Sequence, residues 1–233
     1  MGAIRANLQA VHARIARAAQ AAGRDPGAVR LLAVSKTHPA ALVDEAYQAG
    51  QVAFGENYVQ EAMRKMEVLA DRPIEWHLVG PLQSNKTRLA AERFAWLHTL
   101  ENGRVAERLS RQRPTHLPPL NVLVQVNISA EASKSGVAPG EVPALALAVA
   151  ALPRLRLRGL MAIPEPSPDT ASQRARFRAV RQLFDRLRSE GLLLDTLSLG
   201  MSDDLEAAIA EGSTLVRIGT AIFGARQKSQ DAA

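Results

Sequence analysis

One leading helix is followed by eight alternations of a short β-type run with an amphipathic or helical stretch, and this regularity leaves few folds open to the chain. Residues 4–22 place Ile4, Leu8, Val11, Ile15, Ala18 and Ala22 on one helical stripe, which Gly23-Arg24-Asp25-Pro26-Gly27 terminates. β-type runs are expected at 31–35, 52–54, 74–79, 96–99, 121–126, 157–163, 196–199 and 214–218. Helices are expected at 40–49, 59–70, 84–94, 104–113, 141–151, 170–190 and 203–211, with a last helical turn at 221–225 and Ser84 as the cap of its helix. Strict alternation of this kind demands parallel strands joined by crossover helices. Eight such units suggest closure, so the expected fold is α/β, a single (β/α)8 TIM barrel with an extra N-terminal helix over residues 1–233, the polar residues 227–233 forming a flexible tail. An open doubly wound sheet would carry a glycine-rich dinucleotide loop after its first strand, where this chain has Ser35-Lys36-Thr37-His38-Pro39.

Composition excludes several classes of chemistry. The absence of cysteine removes disulfides, thiolate ligands and thiol catalysis. Residues 1–22 lack the continuous apolar core of a signal peptide and no stretch approaches a membrane span, so a cytoplasmic location without membrane partners is expected. A net charge of +6 and an isoelectric point near 10.3 invite a nucleic-acid reading, with Arg174, Arg176, Arg178, Arg181, Arg186 and Arg188 crowded into one segment. The same segment places Phe177, Val180, Phe184 and Leu187 at helical spacing, so those arginines read as the solvated face of an amphipathic helix. With few aromatics, most of them inside apolar runs, there is little to stack on bases, and no nucleic-acid partner is expected. His12, His38, His77, His98 and His116 show no ligand-type spacing, and no metal is expected.

In such barrels the working residues stand at the C-terminal ends of the strands, and phosphate is often held after strands seven and eight. Lys36 ends the apolar run 31–35, in a chain with only five lysines among 29 basic residues. A desolvated ammonium loses basicity and becomes a nucleophile toward aldehydes, whereas a lysine snorkelling from a strand end is the plainer explanation. Strand seven leads into Ser198-Leu199-Gly200-Met201-Ser202 and strand eight into Arg217-Ile218-Gly219-Thr220. Small residues there let backbone N–H groups approach an anion, and hydroxyls add donors. An amine beside a phosphate cradle suits pyridoxal 5′-phosphate, and a phosphosugar aldolase is the rival. Arg217 favours the former: a permanent cation against the pyridine nitrogen keeps that nitrogen unprotonated and damps carbanion chemistry, while leaving aldehyde capture intact. The alternative for Arg217 is an ion pair with Asp203, Asp204 or Glu206.

The runs 34–37 (Val-Ser-Lys-Thr), 54–61 (Phe-Gly-Glu-Asn-Tyr-Val-Gln-Glu), 76–86 (Trp-His-Leu-Val-Gly-Pro-Leu-Gln-Ser-Asn-Lys), 159–164, 197–204 and 216–220 resemble those of the pyridoxal phosphate homeostasis proteins, over about residues 31–224. That family resembles the N-terminal barrel of alanine racemase without its additional β-domain. The resemblance implies that Lys36 carries the Schiff base, Arg217 faces the pyridine nitrogen, Ser202, Gly219 and Thr220 hold the phosphate, and Asn57 lies against the ring. It implies a monomeric carrier of pyridoxal phosphate in intracellular cofactor homeostasis, possible client enzymes being those that use the cofactor. Substantial amino-acid catalysis is not expected, because the tyrosine that alanine racemase-like enzymes bring from a β-domain has no counterpart: Tyr47 falls on a helix and Tyr58 directly follows Asn57. The alternative is a weak pyridoxal phosphate-dependent racemase or lyase.

Other residues carry two readings each. His77 is either a hydrogen-bonding support or a structural strand residue, Met161 a cofactor cover or core filler. Asp203-Asp204 reads as a helix cap before it reads as a catalytic pair. Lys134 lies in a polar loop and could accept the aldehyde during transfer or simply be solvated. His38 stands where relatives often carry another lysine, which argues against a relay of amines at the mouth.

Overall fold

The computed structural model of the chain describes residues 2–129 and 135–225. Eight strands, β1 (Arg30–Val34), β2 (Ala53–Glu56), β3 (Glu75–Leu78), β4 (Trp96–Leu100), β5 (Leu120–Gln125), β6 (Leu155–Met161), β7 (Thr196–Ser198) and β8 (Leu215–Ile218), are all parallel and close in sequence order, β8 returning to pair with β1. The helices are α1 (Ala3–Ala21), α2 (Ala40–Gln48), α3 (Val59–Val68), α4 (Thr87–Arg93), α5 (Gly103–Gln112), α6 (Val142–Ala150), α7 (Thr170–Ser189), α8 (Leu205–Ala210) and α9 (Thr220–Phe223). The fold is the α/β barrel with a leading helix that the alternation predicts.

The leading helix has a clear physical purpose. Among the described residues, the only helix after β8 is the single turn of α9, which cannot cover the β8/β1 seam. α1 packs against α2, α8 and α9 and lays Ile4, Leu8, Val11, Ile15, Ala18 and Ala19 into the outer core, completing the ring of helices. Most buried apolar residues belong to this outer layer between strands and helices.

Inside the barrel the residues are mixed. Leu32, Val34, Ala53, Val79 and Leu215 form one small apolar cluster, and Trp96, Leu123 and Met161 form another. Gly55 makes room for the first: a Cβ there would stand 3.3 Å from Leu32 Cδ2 and Val34 Cγ2. The rest of the interior includes His77, His98, Ser198 and Arg217, all buried. Met161 is therefore core filler.

Two local expectations need correction. The segment expected to start a helix at Ser84 opens as a 3-10 turn, Ser84–Lys86, before α4. Ser84 lies inside that turn and contributes its carbonyl, which accepts from Thr87 Oγ1 at 3.1 Å, so its hydroxyl does not cap. Asp204 holds the N-cap position of α8, yet its carboxylate turns back to accept from Met201 N–H at 2.6 Å. It closes the β7–α8 loop and makes no side-chain cap bond to the helix.

The basic face of α7 is engaged locally. Arg174 and Arg178 both bind Glu211, Arg181 pairs with Asp185, Arg186 with Glu190, Arg176 lies 3.8 Å from Glu165, and Arg188 lies over Phe184. Lys134 and residues 227–233 lie outside the described residues.

Candidate functional site

A cavity of about 320 Å³ opens at the C-terminal end of the barrel. Its lining brings together Lys36, Asn57, Ser202 and Gly219, which follow β1, β2, β7 and β8, with Arg217 from within β8 and Thr220 from the start of α9. Val34, His38, Val79, Ile163, Met201 and Asp203 complete it.

Lys36 is half-buried in a turn two residues beyond β1. The next residue, Thr37, has φ +66°, a costly conformation for a β-branched side chain that persists only where neighbours impose it. Those neighbours belong to a buried charge cluster. Lys65 Nζ, on α3, binds Ser35 O at 2.8 Å, Glu56 Oε1 at 2.6 Å and Glu61 Oε1 at 2.8 Å. Ser35 Oγ donates to Glu56 at 2.5 Å, and Thr37 N–H donates to Glu61 at 2.6 Å. The residues on both sides of Lys36 are thus pinned by one ammonium and two carboxylates. Burial raises the Glu56 pKa and the Lys65 charge opposes that rise. Sequence reasoning missed this cluster; its visible trace was the i, i+4 spacing of Glu61 and Lys65 at the start of a helix.

Across the mouth, Gly219 and Gly200 allow close approach. A Cβ on Gly219 would stand 2.9 Å from Val34 O, and one on Gly200, where φ is +89°, would stand 2.6 Å from Ala208 Cβ. Gly80 abuts the Asn57 backbone so tightly that any side chain there would collide with it. The imidazole of His38 stacks on Phe223 with 5.3 Å between ring centroids.

Arg217 is buried and makes no hydrogen bond to a carboxylate among the described residues. Nη1 donates to Ser198 O at 2.6 Å and Ser198 Oγ at 2.8 Å, and Nη2 donates to Ala162 O at 3.0 Å. The expected alternative of a pair with Asp203, Asp204 or Glu206 is absent, and Glu206 binds Arg14 instead. Burial lowers the Arg217 pKa to about 10, and the more distant Asp204 charge opposes this, so the guanidinium remains a cation at neutral pH.

His77 and His98, which sequence spacing left unrelated, meet inside the barrel because β3 and β4 are neighbours. His77 Nδ1 and His98 Nε2 are 2.9 Å apart, His77 Nε2 contacts Glu75 Oε1 at 2.8 Å, and His98 Nδ1 contacts Ser198 Oγ at 3.0 Å. Among the described residues no group of three or more His, Cys, Asp or Glu is arranged to hold a metal. Burial lowers the pKa of both histidines below the usual 6.5. The unfolded chain therefore binds protons near pH 6.5 that the folded barrel refuses, and stability is lost as pH falls through that value. We expect chemical denaturation to show a loss of up to about 1.4 kcal/mol per pH unit for each histidine between pH 6.5 and 5. A flat profile would contradict neutral buried imidazoles.

A sequence profile of the family described as alanine racemase, N-terminal domain, matches residues 6–227. The chain belongs to this family. Within it, the chain is 62% identical to the pyridoxal phosphate homeostasis protein of Pseudomonas aeruginosa, over 97% of each chain. It is 56% identical to the protein of that name in Escherichia coli K12, covering 99% of this chain and all of the relative. Among solved structures, PipY of Synechococcus elongatus PCC7942 with PLP bound is similar at 40% identity and a TM-score of 0.81, covering 90% of this chain and all of PipY. The motif-based resemblance to the pyridoxal phosphate homeostasis proteins therefore holds along nearly the whole chain. These relatives of the alanine racemase N-terminal domain family are named for homeostasis and not for a reaction. No helix among the described residues is long and apolar enough to cross a membrane.

Proposed function

We propose that the chain binds pyridoxal 5′-phosphate at the barrel mouth and serves as a carrier in cofactor homeostasis, without substantial catalysis on amino acids. The observation that carries this reading is the single cavity shared by an amine, a buried cation and a cradle of small and hydroxylated residues. The cradle fits a phosphate: Gly219 brings bare backbone to the cavity, with the hydroxyl-bearing Ser202 and Thr220 beside it. When bound, the cofactor supplies an aldehyde that condenses with an amine and a ring that can accept electrons.

Each residue then has a task. Lys36 holds the aldehyde carbon through Nζ, in a turn kept rigid by Glu56, Glu61 and Lys65. Ser202, Thr220 and the backbone around Gly219 bind the phosphate. Arg217 donates to the ring nitrogen and, staying charged, withholds the proton that would make the ring a strong electron sink. Asn57 flanks the ring. The lining contains no tyrosine to face Lys36 as a second acid or base, which supports holding over turnover. A carrier of this design is a monomeric barrel whose clients are enzymes that need the cofactor.

Equilibrium titration with pyridoxal phosphate and with phosphate-free pyridoxal tests the cradle. Removing the phosphate weakens binding by about 100-fold or more, the worth of two or three charge-assisted hydrogen bonds. Thr220→Val, which removes one hydroxyl donor, weakens pyridoxal phosphate by about tenfold and leaves pyridoxal nearly unaffected. Equal effects on both ligands would rule the cradle out. Proton NMR of α-hydrogen exchange on common amino acids reads the catalytic alternative, a weak racemase or lyase; sustained exchange by the loaded protein would establish that alternative.

A further inference from the structure

We propose that Glu75, His77, His98 and Ser198 form a one-way hydrogen-bond chain that orients and polarises Arg217 from the opposite end of the barrel. They are positioning residues, since they act through Arg217. The inference rests on the reading that Arg217 serves the cofactor.

The contacts are continuous. Glu75 begins β3, away from the mouth, and its Oε1 accepts from Arg30 Nη2 at 2.7 Å and lies 2.8 Å from His77 Nε2. His77 Nδ1 reaches His98 Nε2 at 2.9 Å, His98 Nδ1 reaches Ser198 Oγ at 3.0 Å, and Arg217 Nη1 reaches the same Oγ at 2.8 Å. The ends decide the direction. An ionised carboxylate only accepts, so His77 Nε2 carries a proton and donates. A neutral His77 then has a bare Nδ1, which accepts from His98 Nε2–H. His98 Nδ1 is bare in turn and accepts the Ser198 hydroxyl proton. At the other end a guanidinium only donates, and Ser198 Oγ receives it on a lone pair. The carboxylate end sets the direction for two neutral histidines, and the guanidinium end is compatible with it, since Ser198 Oγ can accept from Arg217 while its proton goes to His98.

The consequences concern Arg217. Every dipole in the chain turns its negative end toward the guanidinium and its positive end toward Glu75, so each bond strengthens the next. A buried cation without a contacting carboxylate is thereby linked to one at the far rim. Both hydrogens of Nη1 are committed, to Ser198 O and Oγ, and one of Nη2 to Ala162 O, which leaves the other Nη2 hydrogen and Nε–H for the cavity that Arg217 lines. The chain does not discharge the arginine. Moving a proton from Arg217 to Glu75 would run from a pKa of about 10 to one of about 2, lowered mainly by the His77 bond, and is opposed by about 10⁸.

Histidine and arginine side-chain ¹⁵N NMR on the full chain without cofactor provides the first test. Both His77 and His98 are expected as neutral Nε2–H tautomers at neutral pH, and Glu75→Gln is expected to shift the Arg217 guanidinium resonances. The Ser198→Ala background should abolish that shift, because the link is cut; a shift of equal size in both backgrounds, no shift in either, or an Nδ1–H tautomer at either histidine overturns the proposal. Affinity adds a second reading: Glu75→Gln weakens pyridoxal phosphate by about fivefold, the low end of coupling between separated sites, but costs nothing further in Ser198→Ala. Equal losses in both backgrounds count against the chain. Absence of any pyridoxal phosphate binding by the parent protein would defeat the site assignment, while the NMR result without cofactor would still judge the chain.

Discussion

Lys36→Ala protein incubated with pyridoxal phosphate develops no visible chromophore, and borohydride leaves it unlabelled. The parent chain under the same treatment is labelled on the peptide containing Lys36. The other two lysines among the described residues stand apart from the cavity. Lys65 is buried and its ammonium is committed to Ser35, Glu56 and Glu61, so it cannot attack an aldehyde without dismantling the cluster. Lys86 belongs to the 3-10 turn before α4 and does not line the cavity. The proposed contacts to phosphate and ring nitrogen would survive the substitution while the proposed covalent anchor would not, and affinity is expected to fall by about 100-fold or more. Peptide mass mapping reads the outcome directly. A label on any lysine other than Lys36 in the parent chain, or a full chromophore in Lys36→Ala, would sink the assignment.

Lys65→Met has the largest expected effect on stability. Lys65 is 5% exposed and Glu56 is fully buried, so removing the ammonium strands a carboxylate in the barrel wall. Breaking one partner of a buried pair costs about 3–5 kcal/mol, against a total stability of about 5–15 kcal/mol for a typical domain. Urea denaturation is the measurement. The double variant Lys65→Met with Glu56→Gln should recover part of the loss, since the stranded charge is gone. The pH dependence gives an independent sign. Burial already raises Glu56, and without Lys65 only the Ser35 hydroxyl opposes that rise. A group raised in the folded state contributes stability below its unfolded pKa and loses it as pH rises through the folded value. The deficit of Lys65→Met is therefore smallest in acid and grows toward neutrality. An unchanged urea midpoint at neutral pH would show the cluster to be dispensable.

The elements were legible from sequence because each is encoded locally. The apolar stripe of α1, the aromatic and aliphatic spacing of α7 and the β-type runs all report on a periodicity that a window of ten or twenty residues contains. The mouth was legible for a related reason: in a barrel, the residues just past each strand converge whatever their separation in sequence, so Lys36, Asn57, Ser202 and Gly219 could be grouped in advance. Partner choice was not legible. His98 meets Ser198 across 100 positions and Arg217 meets Ala162 across 55, and both contacts depend on how the closed barrel staggers its strands. The same stagger explains why Arg217 meets a hydroxyl and two carbonyls where a nearby carboxylate was the alternative partner. Ser84 and Asp204 failed on a finer scale, since a shift of one or two residues in where a turn begins decides whether a side chain can cap.

The pairing of β8 with β1 joins the latest strand made to the earliest. Lys36 follows one side of that seam, and Gly219 and Thr220 follow the other. On the ribosome, the first wall of the pocket emerges long before the second exists, so a nascent chain has half a site until about residue 220 has been synthesised. Any small molecule that touches both halves acts as a clasp between the two ends of the polypeptide, and capture of such a molecule would mark the moment at which the barrel has closed.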